Sequence, residues 1–341
     1  MKSRRRKGRV KISQLGEFGL IERIREKNKK AVHHSGTVIG ICDDCAVVKC
    51  GNENLLFTTD TLVENVHFSK KYFSFFDIGY KSLAVNLSDI AAMGGVPLYS
   101  LVTAGFSAEA KIEDADEIYR GINKLASEFN VEIIGGDTVK SPTALIISIT
   151  LIGKTIYGTG IKRSGAKPGD LIFTTGNFGD SSAGLYLLQK GISGYKELKK
   201  KHLNPYPRIK EGLFIAKSGF ATSMIDSSDG FDKSVRFICQ ESKVGAEIYL
   251  NKIPVSGSLK KFVTTYHLSH RDSLPLPLTT YCLFGGEEYE LLFTVPPGKK
   301  TYFEKKFYEV GKITKNKKIV YLDSNNKKVI LKDKGYDHFK K

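Results

Sequence analysis

The chain has 341 residues, 41% of them hydrophobic and 26% charged, a make-up that excludes a disordered, collagen-like or low-complexity protein. At roughly 150 residues per domain this length predicts two domains with ordinary cores, which leaves room for an enzyme. The formal charge of +17 is carried at the ends: residues 1–11 hold seven basic groups and no acid, and residues 299–341 hold 14 Lys against five acids, so about +1 remains for residues 12–298.

The first element in chain order is the basic tail over 1–11. It has no aromatic residue between its lysines and arginines, so it reads as a solvated polyanion-attracting segment rather than a specific nucleic-acid reader. Ser13, Gln14, Glu17 and Glu22 come next, not an apolar region with a cleavage site, and no secretory signal is expected. The longest apolar stretch, 144–152, is nine residues long, short of the roughly 20 that span a bilayer. No membrane partner and a cytoplasmic location are the expectations. Cys42, Cys45, Cys50, Cys239 and Cys282 are too few for a disulfide scaffold in a chain of this length. Cys42 and Cys45 form a C-x-x-C pair, but Asp43 and Asp44 between them disfavour a thiolate.

Residues 55–60 and 143–153 read as buried strands. Asp77 reads as the cap of a helix over 78–93, which Gly94, Gly95 and Pro97 stop; a second helix over 110–129 leads into a strand at 131–134. That makes an N-terminal α/β domain over 12–158. After Gly158 and Gly160 the rhythm restarts in a C-terminal domain over 159–341, with the boundary placed within 155–165. Its elements are a strand at 171–175, a glycine turn at 176–179, a helix from 182, a strand at 222–226 and a helix from 230. The turn at 176–179 serves equally as an anion cradle or a plain tight turn. Tyr119 reads as a helix-surface tyrosine before an adenine contact.

Seven aspartates recur where apolar runs meet glycine or small polar residues: Asp43, Asp44, Asp60, Asp89, Asp137, Asp226 and Asp229. Any one of them alone is a common cap or turn residue. Together they are placed as ligands are in α/β proteins, outside strand ends. On a helix, Ser82, Asn86, Asp89 and Met93 share one stripe, so Asp89 has a polar neighbour in Asn86. Converging carboxylates would repel one another unless cations intervened. An oxygen-only set with no matching His or Cys cluster favours Mg²⁺, which typically also binds substrate phosphates. No Walker loop is present, because the position for its first glycine ahead of Gly153-Lys154-Thr155 is Ser148; no H-R-D-type kinase catalytic loop occurs either, since His270-Arg271-Asp272 has Pro277 where that loop carries its asparagine, and there is no D-F-G. A metal cluster is then the expected means of holding a nucleotide.

Read in order, these segments resemble the thiamine-monophosphate kinases, of the superfamily that includes aminoimidazole ribonucleotide synthetase, selenophosphate synthetase and a hydrogenase maturation factor. The resemblance rests on Gly16-Glu17-Phe18, Asp43-Asp44-Cys45-Ala46, Thr59-Asp60-Thr61 with His67-Phe68, residues 84–94, Gly135-Gly136-Asp137-Thr138 and residues 163–170. The second half adds Asn204-Pro205 with Pro207-Arg208, Ser228-Asp229-Gly230, Gly285-Gly286-Glu287 with Tyr289-Glu290-Leu291, and residues 335–339. It implies a two-domain α/β (α+β) architecture of the aminoimidazole ribonucleotide synthetase type and a homodimer whose N-terminal domains pair their sheets. The implied reaction is ATP-dependent, Mg²⁺-assisted phosphorylation of thiamine monophosphate to thiamine diphosphate.

The same resemblance assigns the metal to Asp44, Thr58, Thr59, Asp60, Asp89, Asp137, Asp226 and Asp229. It assigns ATP to Gly136, Asp137, Arg163 and Ser228, the thiamine end to His67, Glu287 and Tyr336, and the catalytic roles to Asp44, Asp229 and Arg163. Departures from the family pattern are Cys42 for a glycine, Ser227 for an aliphatic residue, Phe231 for Leu and Glu288 for Asp. Two readings stand beside the kinase: another ATP-dependent reaction of the superfamily, and a nucleic-acid-associated binding protein.

Overall fold

A computed structural model of the chain describes residues 11–28, 34–269 and 278–331. Most of the basic tail and Tyr336 lie outside the described residues. The first half contains α1 (Ile12–Asn28, kinked at Gly16), β1 (Thr37–Ile39), β2 (Ala46–Cys50), β3 (Glu53–Val63), α2 (Phe75–Ala92), β4 (Gly95–Phe106), α3 (Ile112–Phe129), β5 (Glu132–Lys140) and β6 (Ile146–Thr155). The strands form one sheet in the order β1-β2-β3-β6-β4-β5, antiparallel except where β4 runs parallel to β5.

Local chemistry corrects three boundaries. The cap of α2 is Ser74, not Asp77: the Ser74 hydroxyl accepts from the Asp77 backbone N–H at 3.1 Å, and the Asp77 carboxylate accepts from the Ser74 backbone N–H at 3.1 Å. This is a capping box, with the acid in the first turn at the positive end of the helix. Gly94 and Gly95 do end α2, but Pro97 breaks nothing, because β4 carries it at a register irregularity between Pro97 and Tyr99. β5 runs far past residue 134. Its Gly136 lies so near β4 that a Cβ there would sit 1.8 Å from the Val102 carbonyl oxygen, which only glycine permits.

The second half contains β7 (Leu171–Thr174), α4 (Asp180–Gln189), α5 (Lys196–Leu203), α6 (Ile209–Ser218), β8 (Ser223–Asp226), α7 (Phe231–Ser242), β9 (Gly245–Tyr249), α8 (Gly257–Ser269), α9 (Leu278–Phe284), β10 (Leu291–Val295), α10 (Lys300–Phe303), β11 (Tyr308–Thr314), β12 (Ile319–Leu322) and β13 (Lys328–Val329). They form a second sheet ordered β13-β12-β9-β11-β7-β10-β8. Its central strands are buried on both faces, and alternation sorts their side chains. Phe173, Met224, Leu291 and Phe293 face the first domain, sharing a core with Leu83, Leu87 and Ile90 of α2; Ile172, Ile225 and Leu292 face the opposite way, onto a core shared with α4, α7 and α8.

The two domains therefore share α2. Thirteen of its eighteen residues are buried, since α3 and the first sheet cover part of it and α6 and β8 of the second domain cover the rest. The α6 contact depends on a glycine: a Cβ at Gly212 would lie 2.2 Å from the Ala91 carbonyl oxygen. Gly212→Ala is expected to destabilise the protein by about 2 kcal/mol, as overpacking typically does. A thermal unfolding midpoint equal to that of the parent chain would show that α2 and α6 are not in close contact.

Candidate active site

A cavity of about 1670 Å³ opens between the two domains. Single small-molecule sites usually occupy roughly 300–1,000 Å³, so this volume accommodates two substrates. Its floor is acidic. Carboxylate oxygens of Asp44, Asp89 and Asp226 lie within 4.8 Å of one another, brought in from the turn before β2, from α2 and from the end of β8. Asp60 and Asp229 line the same cavity.

Three of these carboxylates are held by a partner from another element. Asp44 Oδ1 accepts from Arg163 Nε at 3.1 Å and Nη2 at 2.6 Å. Asp226 Oδ2 accepts from the Ser88 hydroxyl at 2.6 Å, across the domain boundary. The Thr58 hydroxyl donates to Asp89. Asn86 accepts from the Asp60 backbone N–H at 3.1 Å and donates to the Ser82 carbonyl at 3.0 Å, so one fully buried amide ties β3 to α2.

These contacts leave the acids uncomfortable. Burial and the Asp44 charge push Asp226 up to about 7, burial and Asp229 push Asp60 up to about 6, and burial with Asp60, Asp226 and Asp44 pushes Asp89 well above the carboxylate range. Asp43, beside Asp44, is likewise raised to about 7 by burial and by that neighbour. Asp44 Oδ2 is buried with no hydrogen-bond partner. Among the described residues this group consists of carboxylates alone. A hard divalent cation fits such a set: it would neutralise the repulsion and supply the missing partner of Oδ2.

Thr59 is part of the cavity rim, but alternation turns its hydroxyl to the other face of the sheet, where it donates to the Ile149 carbonyl at 3.2 Å. Asp60 lies in mid-strand, paired with Ile149, and not outside a strand end; its inward direction comes from the pleat. Asp137 is also within a strand. Asp137 and Gly136 are exposed on β5 and do not line this cavity. Arg163 and Ser228 do. Cys42 adopts φ 116°, in the left-handed region that favours glycine, the residue that the resemblance implies at this position.

At the other end of the cavity stand His67 and Glu287. The His67 Nδ1 accepts the Val63 backbone N–H at 3.0 Å, so the neutral ring carries its proton on Nε2. Glu287 takes φ 63° and meets two groups that no sequence motif marks: Lys81 Nζ at 2.6 Å from Oε1 and His202 Nδ1 at 3.2 Å from Oε2. Burial alone would raise the Glu287 carboxyl, but the charge and hydrogen bond of Lys81, together with His202 and His67, outweigh it and hold the group below its usual value. Burial and Lys81 push His202 down to about 4, so it meets Glu287 as a neutral ring. The one signal for Lys81 in the sequence is a lysine inside the otherwise buried run of α2. Lys233 is a further cavity residue outside the sequence motifs; it lies 3.6 Å from Asp229, one turn along α7.

The turn at 176–179 is no external anion site. Glu288 fills it: its Oε1 accepts from the backbone N–H groups of Gly179 at 2.8 Å and Ser181 at 3.0 Å. Tyr119 packs partly buried against the core.

Residues 42–155 match the AIR synthase related protein, N-terminal domain, and residues 167–323 match the AIR synthase related protein, C-terminal domain. The thiamine-monophosphate kinase of Bacillus subtilis is 34% identical over 96% of this chain and 100% of its own length. That of Buchnera aphidicola from Acyrthosiphon pisum is 37% identical over 95% and 98%. The solved structure of AaThiL complexed with AMPPCP and TMP superimposes with a TM-score of 0.84 at 32% identity, covering 97% of this chain and 99% of that one. Likeness at this level, along both domains and the cleft between them, is the mark of common descent: the chain belongs to the thiamine-monophosphate kinase family, within the AIR synthase related proteins.

Proposed function

We propose that the cavity transfers the γ-phosphoryl group of ATP to the phosphate of thiamine monophosphate, giving thiamine diphosphate and ADP. The observation that carries this reading is the convergence of Asp44, Asp89 and Asp226 oxygens within 4.8 Å in a cavity large enough for both substrates. The family relationship supports it, as does the relative whose complex contains AMPPCP and TMP.

Asp44, Asp60, Asp89, Asp226 and Asp229, with Thr58 beside them, would hold Mg²⁺; the Thr59 hydroxyl, on the other face of the sheet, would not reach it. Bound there, the ion neutralises phosphate charge and fixes the reacting groups in line. Arg163 is locked against Asp44 through Nε and Nη2, and its remaining donors can take phosphate oxygens. Ser228 is exposed at the cavity wall, where ATP would lie. His67 and Glu287 would meet the thiamine end, the former donating from Nε2. Tyr336 is assigned to the same end by the resemblance alone.

Asp44→Asn and Asp229→Asn are each expected to lower the rate at least about 100-fold while the chain still folds. Near-normal turnover of either variant at limiting Mg²⁺ would remove that residue from the metal site. The reading itself stands on product analysis: ATP, Mg²⁺ and thiamine monophosphate mixed with the protein should yield thiamine diphosphate.

The transfer is direct. A carboxylate given over to a cation is a poor nucleophile, and positioning with charge neutralisation suffices for in-line transfer. With γ-labelled ATP and no acceptor, quenched protein should carry no label. Stoichiometric label that chases into thiamine diphosphate on adding acceptor would overturn direct transfer.

We further propose a homodimer built on the outer face of the first sheet. Tyr99, Leu101 and Val139 stand 42%, 37% and 46% exposed on β4 and β5, an apolar face that a second copy would cover. Asp137 and Gly136 lie on β5 too, and their part in ATP or metal binding is expected only in that dimer. Sedimentation should give twice the chain mass, and Leu101→Lys should shift it toward one chain; a parent protein sedimenting as a single chain would refute the pairing.

A further inference from the structure

Lys81 has no counterpart among the groups that the reaction above requires, yet it is one of the largest fully buried side chains of the molecule. A buried ammonium is costly unless it is paired and hydrogen-bonded. Lys81 Nζ has three neighbours: Glu287 Oε1 at 2.6 Å, the backbone carbonyl oxygen of His67 at 3.4 Å and the ring of Phe73, whose centroid is 5.1 Å away. The first two belong to the two residues placed at the thiamine end. They come from different domains, and neither lies in a helix or strand: Glu287 sits at φ 63° between Gly286 and Glu288, and His67 sits in the irregular chain between β3 and α2.

We propose that Lys81 is a positioning residue for the acceptor substrate, fixing the His67 segment and the Glu287 carboxylate in one arrangement. Its charge keeps Glu287 ionised inside the cavity. Its second hydrogen bond fixes the peptide that carries His67, whose Nε2 is then aimed by two anchors, the Lys81 contact on its carbonyl and the Val63 N–H on its Nδ1. His202 stands beside this grip, its Nδ1 3.2 Å from Glu287 Oε2 and hydrogen-bonded with the Ser181 hydroxyl at 3.2 Å, its ring edge packed on Phe73 with centroids 5.5 Å apart. The Asp44, Asp89 and Asp226 group is bound by a separate set of partners, Arg163, Thr58 and Ser88. Losing Lys81 therefore loosens the acceptor end and leaves the nucleotide end intact.

The inference rests on the reading of the cavity as a thiamine-monophosphate kinase site, and the test separates the two. Steady-state constants are measured for the full chain and for Lys81→Met and Lys81→Arg. Lys81→Met should raise the KM for thiamine monophosphate at least about tenfold while the KM for ATP stays within about twofold. Lys81→Arg, which keeps the charge, should restore most of the affinity. Because Lys81→Met strands the half-buried Glu287 carboxylate, Glu287→Gln is measured beside the double variant Lys81→Met with Glu287→Gln, which leaves no unpaired charge; the double variant should fold and raise the KM for thiamine monophosphate beyond that of Glu287→Gln alone, through the freed His67 segment. Equal increases in both KM values, or a lowered unfolding midpoint with both unchanged, would reduce Lys81 to a structural tie between domains and overturn the proposal. Failure of the parent chain to make thiamine diphosphate would instead sink the reading of the cavity.

Discussion

The burial of α2 between two sheets governs everything at the cleft. A helix covered on one side can point its polar residues to water, but α2 is enclosed by α3, the first sheet, α6 and β8, and its polar side chains must be answered from within. Ser82 and Asn86 are answered by α2 itself and β3, Ser88 by Asp226, Asp89 by Thr58 and Lys81 by Glu287. All but the Ser82 link leave α2 toward the cavity or its walls. The same helix that joins the domains thus carries Asp89 of the acidic floor and Lys81 beside His67 and Glu287, about two turns apart.

Buried acids in this molecule fall into two classes, and the difference separates scaffold from site. Glu290 is fully surrounded, yet Lys201 at 2.6 Å and Arg208 at 2.6 Å override its burial and pull it down to about 2. It is a finished ion-pair network with nothing left to bind. Asp60, Asp89 and Asp226 have no ion-pair partner of that kind; the charges that act on them most are other carboxylates, and all three are raised. Folding tolerates that arrangement only at a cost, which a cation would offset on binding. Glu287 stands between the classes: it is paired with Lys81 yet still open to the cavity.

Much of the cleft is legible in the sequence because its acids sit in short polar segments set against apolar runs. Order along the chain then connects them to one family. Three features are not legible, each for a physical reason. Asp60 and Asp137 look like strand-end residues because threonines and glycines surround them, but both lie inside long strands, where pleat direction alone decides which face they reach. Ser74 is hard to tell from Asp77 as the cap because the two share one capping box. Lys81 is hidden because a lysine in a helix ordinarily reaches water, and only the second domain, folded over it, reveals that this one cannot.

The start of α4 is closed from within the chain. Many phosphate sites exploit the bare N–H groups at a helix start, and the glycine turn before α4 supplies that geometry. Here it is filled by Glu288, whose carboxyl burial pushes up to about 8. The Glu288 side chain reaches Gly179 and Ser181 and closes the helix end from inside the chain. With that terminus occupied and no Walker loop present, the proposed reading assigns the phosphates to the carboxylate cluster and Arg163. Binding through a shared cation, as proposed, would make the nucleotide end depend on charge count more than on backbone shape, and would place the reacting phosphates on the floor that both domains build.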